Sequence, residues 1–310
     1  MKPTYAINHG EGLCKRIVRD RQLLIMLIPG VLFYVIFRYG PMYGLLMAFQ
    51  KYSPFLGIAK SPWVGLENFQ RFFASNDFWL LLRNTLTLGA LSLLVCFPIT
   101  ILFALLLNEV RHARYKKFVQ TITYLPTFLS VVIICSMTIS LLSLNGGLVN
   151  KIIKAFGLEP IYFMTRPEWF RTIYVLTEIW SGTGAGAIVY LAALSGIDPS
   201  LYEAAKIDGC KRIKMMFYIT LPSIMPIIIT MLILNSGNIF RVGQDKILLL
   251  YNPMTYGVAD VFSTFVYRKG ILDMNYSFAA AAGMFESVVA CILLWTTNLI
   301  SRKATGESLW

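Results

Sequence analysis

The length of its apolar runs limits this chain's folding options more than any other feature. Five blocks, 84–110, 118–143, 172–194, 222–240 and 276–300, each carry about 20 residues or more without clustered charge. Runs of that length cross a bilayer, where backbone amides find no water and must pair internally, so the spans are predicted to be helices. A sixth block, 22–37, covers only about 24 Å at 1.5 Å per residue. It must tilt, thin the bilayer, or continue past Pro41 through the apolar 43–49 stretch. A basic segment precedes it, as in a signal peptide, but Arg38, Tyr39, Gly40 and Pro41 follow in place of a small-residue cleavage site. A retained first span is therefore expected, and the whole reads as an all-α polytopic membrane protein with six transmembrane helices.

Charge supports this class and orients it. Only 14% of residues are charged while 56% are hydrophobic, far from the roughly 25% charged composition of soluble domains. Lys15, Arg16, Arg19 and Arg21 adjoin the first span, Arg111, Arg114, Lys116 and Lys117 fill the connection between the second and third, and Arg302 and Lys303 follow the sixth. By the positive-inside rule those ends are cytoplasmic, which puts both termini inside a bacterial plasma membrane. The expected organisation is a basic tail over 1–21, a membrane domain over 22–300 and a short tail over 301–310. The net charge of +12 then serves orientation and contact with anionic lipid, with no case for nucleic acid.

Between the fourth and fifth spans lies "LYEAAKIDGCKRIKMMFYITLP", residues 201–222. Its six charged side chains, Glu203, Lys206, Asp208, Lys211, Arg212 and Lys214, would cost on the order of 15 kcal/mol inside the bilayer. The segment 195–220 is thus a cytoplasmic loop. Asp198 with Pro199, or Ser200 with Glu203, supplies an N-terminal cap; Gly209 ends or kinks the helix that follows. Beyond it Ile213, Met216 and Phe217 form a helical stripe leading to Pro222. Read as residues alone, the loop offers a short helix to a partner protein, or lies as an amphipathic interfacial helix.

The pattern Glu203-Ala204-Ala205, Gly209 and Ile219-Thr220-Leu221-Pro222 resembles the EAA loop of membrane subunits of binding-protein-dependent ABC importers, the MetI-like permease architecture. "GPMYGLLMAF", "SPWVGLENF", "LLLNEV", "QTITYLP", "YLAALSGIDPSLYEAAKIDG", "ITLPSIMP" and "LLLYNP" resemble the polysaccharide and oligosaccharide branch of that family. The resemblance implies a coupling helix in which Glu203, Ala204, Ala205, Asp208 and Gly209, with Leu221 and Pro222 beyond, meet an ATPase subunit. It also implies a second, different permease, two cytoplasmic ATPases, an extracytoplasmic solute-binding protein, an oligosaccharide cargo, and transport by alternating access.

The chain contains no G-x-x-x-x-G-K-[ST] run to cradle phosphates, so ATP hydrolysis is expected in a partner and this chain is not expected to be an enzyme. His9 and His112 lie far apart in basic segments and suggest no metal site, and no cofactor is expected. The five cysteines, Cys14, Cys96, Cys135, Cys210 and Cys291, are scattered and read as small apolar fillers or reduced thiols.

Ionisable residues inside spans are expected to be functional or paired, because lipid exposure is costly. Glu178 and Glu286 stand out; each either lines a pathway or pairs with a donor on a neighbouring helix or with Arg241. Asn235, Asn238, Arg241 and Gln244 make the far end of the fifth span polar, and with Trp180 and Tyr190 they are the candidate sugar lining; hydrogen bonds between helices are the other reading. A different class also fits the two carboxylates, an ion-coupled secondary transporter with proton relays, as does an ABC permease for a non-sugar solute. A third reading is a scaffold that binds an ATPase without transporting. The stretch around Trp63, Phe69, Phe72 and Phe73, and the one at 148–156, suit interfacial helices that anchor at the headgroups or face the receptor.

Overall fold

A computed structural model of the chain describes residues 21–240 and 243–305, so residues 1–20 of the basic tail, Arg241 and residues 306–310 lie outside the described residues. Helix α1 runs Arg21–Phe49, α2 Glu67–Phe73, α3 Asn76–Glu109, α4 Ala113–Phe128, α5 Val131–Leu142 and α6 Leu148–Ala155. Then come α7 Pro167–Ser195, α8 Pro199–Ile207, α9 Arg212–Ser223, α10 Met225–Gly237, α11 Gln244–Leu250, α12 Tyr256–Ala259, α13 Phe262–Tyr267 and α14 Tyr276–Thr305. Among the described residues, pairing of the β type is limited to one bridge, Gln50 with Trp63.

Three helices, α1, α3 and α14, are long and apolar enough to cross alone; counting each of three bent pairs as one span gives up to six crossings. The predicted third span is the most altered. α4 and α5 meet at 104° around Pro126 and the Ser130 cap, whose side chain accepts from the Ile133 amide at 3.4 Å. α7 turns by 71° into α8, and α9 by 63° into α10.

Prolines shape the first, second and fifth spans through one device. The first block does continue past Pro41: a π turn over Val35–Tyr39 leads into a 3₁₀ stretch over Gly40–Phe49. π turns at Ser92–Cys96 and Met216–Thr220 stand in the same way just before Pro98 and Pro222. Proline lacks the amide that would bond four residues back, and its ring crowds that carbonyl; widening the preceding turn relieves both without ending the helix.

Packing separates into three clusters. At one end Phe72, Phe78, Phe240, Phe262, Phe265 and Phe278 interlock, joining α2, α3, α13 and α14. Phe72 is thus fully buried, a correction to its reading as an interfacial side chain, while Trp63 stays exposed and stacks on Phe49 with centroids 5.6 Å apart. Leu88, Cys135, Phe170, Tyr174, Ile247 and Leu250 fill the middle, and Ala104, Ala187, Tyr190, Leu194, Met216 and Ile224 close the end that bears the 195–220 loop. α7 lies against α4 so closely that a methyl group on Gly184 would overlap the Thr123 carbonyl. By contrast the N-terminal part of α1 stands away from the bundle, with residues 21–43 exposed, while its 3₁₀ end packs against α14 and buries Ala48.

Candidate functional site

The loop between the fourth and fifth spans forms the short helix its residues predict. Of the two caps offered by the sequence, Asp198 is the one used: its carboxylate accepts from the Ser200 amide at 2.9 Å, with Pro199 in the first turn. That bond holds the Asp198 carboxyl below its ordinary range. The helix ends in a Schellman motif: the Cys210 amide donates to the Ala205 carbonyl at 2.9 Å and the Gly209 amide to Lys206 at 3.1 Å. Closing it needs a left-handed residue, and Gly209 sits at φ 72°.

Between the caps, Ala205 is buried against the bundle while Glu203, Ala204, Lys206, Ile207 and Asp208 face outward. Ile207 is 86% exposed, an apolar side chain left at the tip of a charged helix. The Tyr202 hydroxyl and Thr220 Oγ1 lie 3.0 Å apart, tying α8 to the last turns of α9. Leu221 packs into the cluster of Ala104, Tyr190 and Leu194, and Pro222 opens outward. The predicted stripe of Ile213, Met216 and Phe217 divides: Met216 is buried with Met215, whereas Ile213 and Phe217 remain exposed. The π turn at Met216–Thr220 breaks the regular period and rotates that face.

The polar residues of the fifth span meet Glu178 in a cavity of about 180 Å³ lined by Ser92, Phe97, Tyr174, Glu178, Asn235 and Asn238, among others. The Asn235 and Asn238 side-chain amides donate to the carbonyls of Met231 and Leu234, at 2.7 and 3.3 Å, which leaves their carbonyl oxygens to accept from a guest. Glu178 pairs with Lys246, whose ammonium lies 3.8 Å from the Tyr174 ring centroid and 3.4 Å from the Tyr174 carbonyl. Lys246 is 7% exposed in its side chain and Glu178 41%, so the carboxylate opens to the cavity and the cation supports it from behind.

The other predicted lining residues do not join this cavity. Glu286 and Gln244 border a separate hollow of about 610 Å³ between α1, α13 and α14. Trp180 lines an apolar hollow with Phe163, Trp169 and Leu176. Tyr190 is 3% exposed, edge-on to Phe97 inside the core. Helical geometry separates Trp180 and Tyr190 from Glu178: two and twelve residues further along α7, they project about 200° and 120° away from it. Arg241 lies outside the described residues.

The model of the family described as binding-protein-dependent transport system inner membrane component matches residues 97–304. The chain belongs to that family. It is a multi-pass membrane permease, and the similarity to individual relatives extends over almost all of it. It is 45% identical to the polygalacturonan/rhamnogalacturonan transport system permease protein YteP of Bacillus subtilis over 97% of this chain and 94% of the relative. Protein LplB of the same organism is 44% identical, over 99% and 97%. Among solved structures, a bacterial ABC transporter involved in import of the acidic polysaccharide alginate matches with TM-score 0.89 and 45% identity, covering 95% of this chain and all of that one.

Sequence reading of this permease missed Lys246. Glu178 does pair with a donor on another helix, one of the alternatives its position offers, but that donor is Lys246 of α11, beyond the fifth span, and not Arg241. The signal was present in "QDKILLL", a lysine fused to an apolar run, and in Tyr174, one helical turn before Glu178. A second pair also went unread: Asp260, buried, holds Arg268 and accepts from the Thr264 hydroxyl at 2.8 Å.

Proposed function

We propose that this permease carries oligosaccharides rich in uronic acid across the bacterial cytoplasmic membrane by alternating access. The observation that carries the substrate class is near full-length similarity, at 45% identity, to a permease named for polygalacturonan and rhamnogalacturonan and to a transporter that imports alginate, polysaccharides that contain uronic acid. The chain supplies no chemistry of its own. ATP is hydrolysed by two cytoplasmic ATPases, and α8 with Glu203 at its surface is the coupling helix they move. Support comes from its double capping and its anchorage through Tyr202 to Thr220: a lever transmits force only if both ends are held.

A different second permease completes the channel, and the uncovered apolar length of α1 from Leu23 to Tyr43 supports a partner or lipid beside it. A solute-binding protein delivers cargo from outside, as a periplasmic protein does in the related alginate transporter, solved with an alginate pentasaccharide-bound periplasmic protein. Both termini face the cytoplasm. Guests meet the cavity of Glu178, Asn235 and Asn238, where sugar hydroxyls donate to the carboxylate and the amide oxygens. The Lys246 ammonium beside Glu178 offsets its charge within the cavity wall, so an acidic sugar does not face a bare carboxylate, and a paired carboxylate favours a lining role over the ion-coupled proton relay.

The test is uptake of labelled oligogalacturonides by cells lacking only this gene. Loss of that uptake, restored by the intact gene and abolished again by ATP depletion, is expected. Normal uptake in the deletion strain, or uptake following a proton gradient without ATPase, would sink the reading.

A further inference from the structure

Beside the coupling helix lies a hollow of about 830 Å³ whose lining is almost wholly cationic: Arg111, Lys206, Lys211, Arg212 and Lys214, with Cys210, Ile213 and Met215 between them. Two parts of the chain make it. Arg111 comes from the connection between α3 and α4, and the rest from the end of α8 and the start of α9. All five cationic side chains are exposed, and among the described residues none of the five forms an ion pair. Glu203 and Asp208 are near in sequence but neither lines the hollow.

Five unpaired cations around one concavity repel one another unless an anion sits among them. Exposed apolar side chains adjoin the group: Ile213 is 70% exposed, and Phe217 and Tyr218, at the next turn, 54% and 77%. Tyr115 and Phe118, at the start of α4 just past Arg111, are 59% and 61% exposed. Cations in a pocket with apolar side chains continuing from it match a lipid with an anionic head and acyl chains.

We infer that this hollow is a binding site for the phosphate headgroup of an anionic phospholipid of the inner leaflet, with Ile213 and Phe217 along its acyl chains. Lys206 belongs to α8 and Arg111 to the α3–α4 connection, so a lipid held there joins the coupling helix to the membrane plane. The inference requires the loop to face the cytoplasm but does not depend on which sugar is carried. The charge code distinguishes it from an ordinary hydrophobic contact, since a zwitterionic head brings its own cation and gains little from these five.

Native mass spectrometry of the full chain, purified in mild detergent and offered phosphatidylglycerol or phosphatidylcholine with the same acyl chains, tests it. Phosphatidylglycerol is expected to be retained at least about tenfold better, with a loss of about fivefold for each cation removed in Lys211→Gln, Arg212→Gln and Lys214→Gln. Lys211→Gln alone reads the same effect if the triple variant fails to fold. Lys151→Gln with Lys154→Gln, on α6, is the control and leaves retention unchanged. Equal retention of both lipids, as expected of a hollow built for an acidic protein surface, would overturn the inference. So would a preference that survives the substitutions or falls equally in the control, or displacement of the lipid by millimolar inorganic phosphate.

Discussion

Tyr202 and Thr220, eighteen residues apart, join α8 to the helix that leads into the fifth span through hydroxyls 3.0 Å apart. Thr220 is 1% exposed and its Oγ1 also reaches the Met215 carbonyl at 3.4 Å, so the tie is anchored inside the bundle rather than at its surface. In the proposed coupling role, a force applied to α8 would reach the spans through this bond and the buried Ala205.

Tyr202→Phe removes the tie while keeping the ring. The cost to folding is about 1 kcal/mol, as for a single neutral hydrogen bond, and Thr220 keeps its bond to Met215. The expected outcome is a chain that inserts and assembles normally but moves fewer sugars per ATP hydrolysed. Measuring uptake and hydrolysis together in proteoliposomes checks it; an unchanged ratio would remove the tie from the coupling path.

Glu203→Lys leaves folding intact, because the side chain is exposed, and inverts the charge at the surface of α8, where the proposed ATPase would dock. Gly209→Asp acts differently. A side chain at φ 72° costs about 1 kcal/mol and loosens the Schellman ending of α8. Both variants are expected to be present in membranes at normal levels with uptake largely lost, and membrane immunoblots alongside transport assays would show it. Undiminished uptake in both would count against the coupling role.

Removing either partner of the Glu178–Lys246 pair is expected to destabilise the chain unequally. Glu178→Gln strands a lysine only 7% exposed and should cost about 2 kcal/mol, less than the 3–5 of a fully enclosed pair because the carboxylate side is open to the cavity. Lys246→Met should cost less, since Glu178 retains access to water. The double variant should recover part of the sum, and thermal unfolding of all three in detergent measures the coupling. Strict additivity would mean that the two charges do not interact.

Asn238→Leu replaces a polar wall of the central cavity by an apolar one of similar size. Uptake is expected to fall roughly tenfold in kcat/KM, the worth of about one hydrogen bond to a sugar hydroxyl, with assembly unaltered. Transport kinetics equal to wild type would take Asn238 off the cavity's working surface.

How far the candidate site was legible depended on whether its determinants are local. The α8 caps are local: Asp198, Pro199 and Gly209 act on backbone groups within five residues, so spacing alone locates the helix. The cavity is not local. Glu178 and Asn238 come from different spans, and the partner of Glu178 is 68 residues downstream. Nothing in a single run of sequence states which face of α7 turns inward, which is why Trp180 and Tyr190 were grouped with Glu178 and then proved to sit elsewhere.

Read alone, the sequence determined the helical membrane class, the helix of the polar loop and the family, because each follows from run length, charge cost, short-range capping or local motif. Tertiary structure decided where the third span bends, that Phe72 is core, and that Lys246 stands behind Glu178. Those outcomes depend on which surfaces meet in three dimensions. A bilayer makes every apolar face equally acceptable to solvent, so hydrophobic periodicity cannot choose among them and packing must.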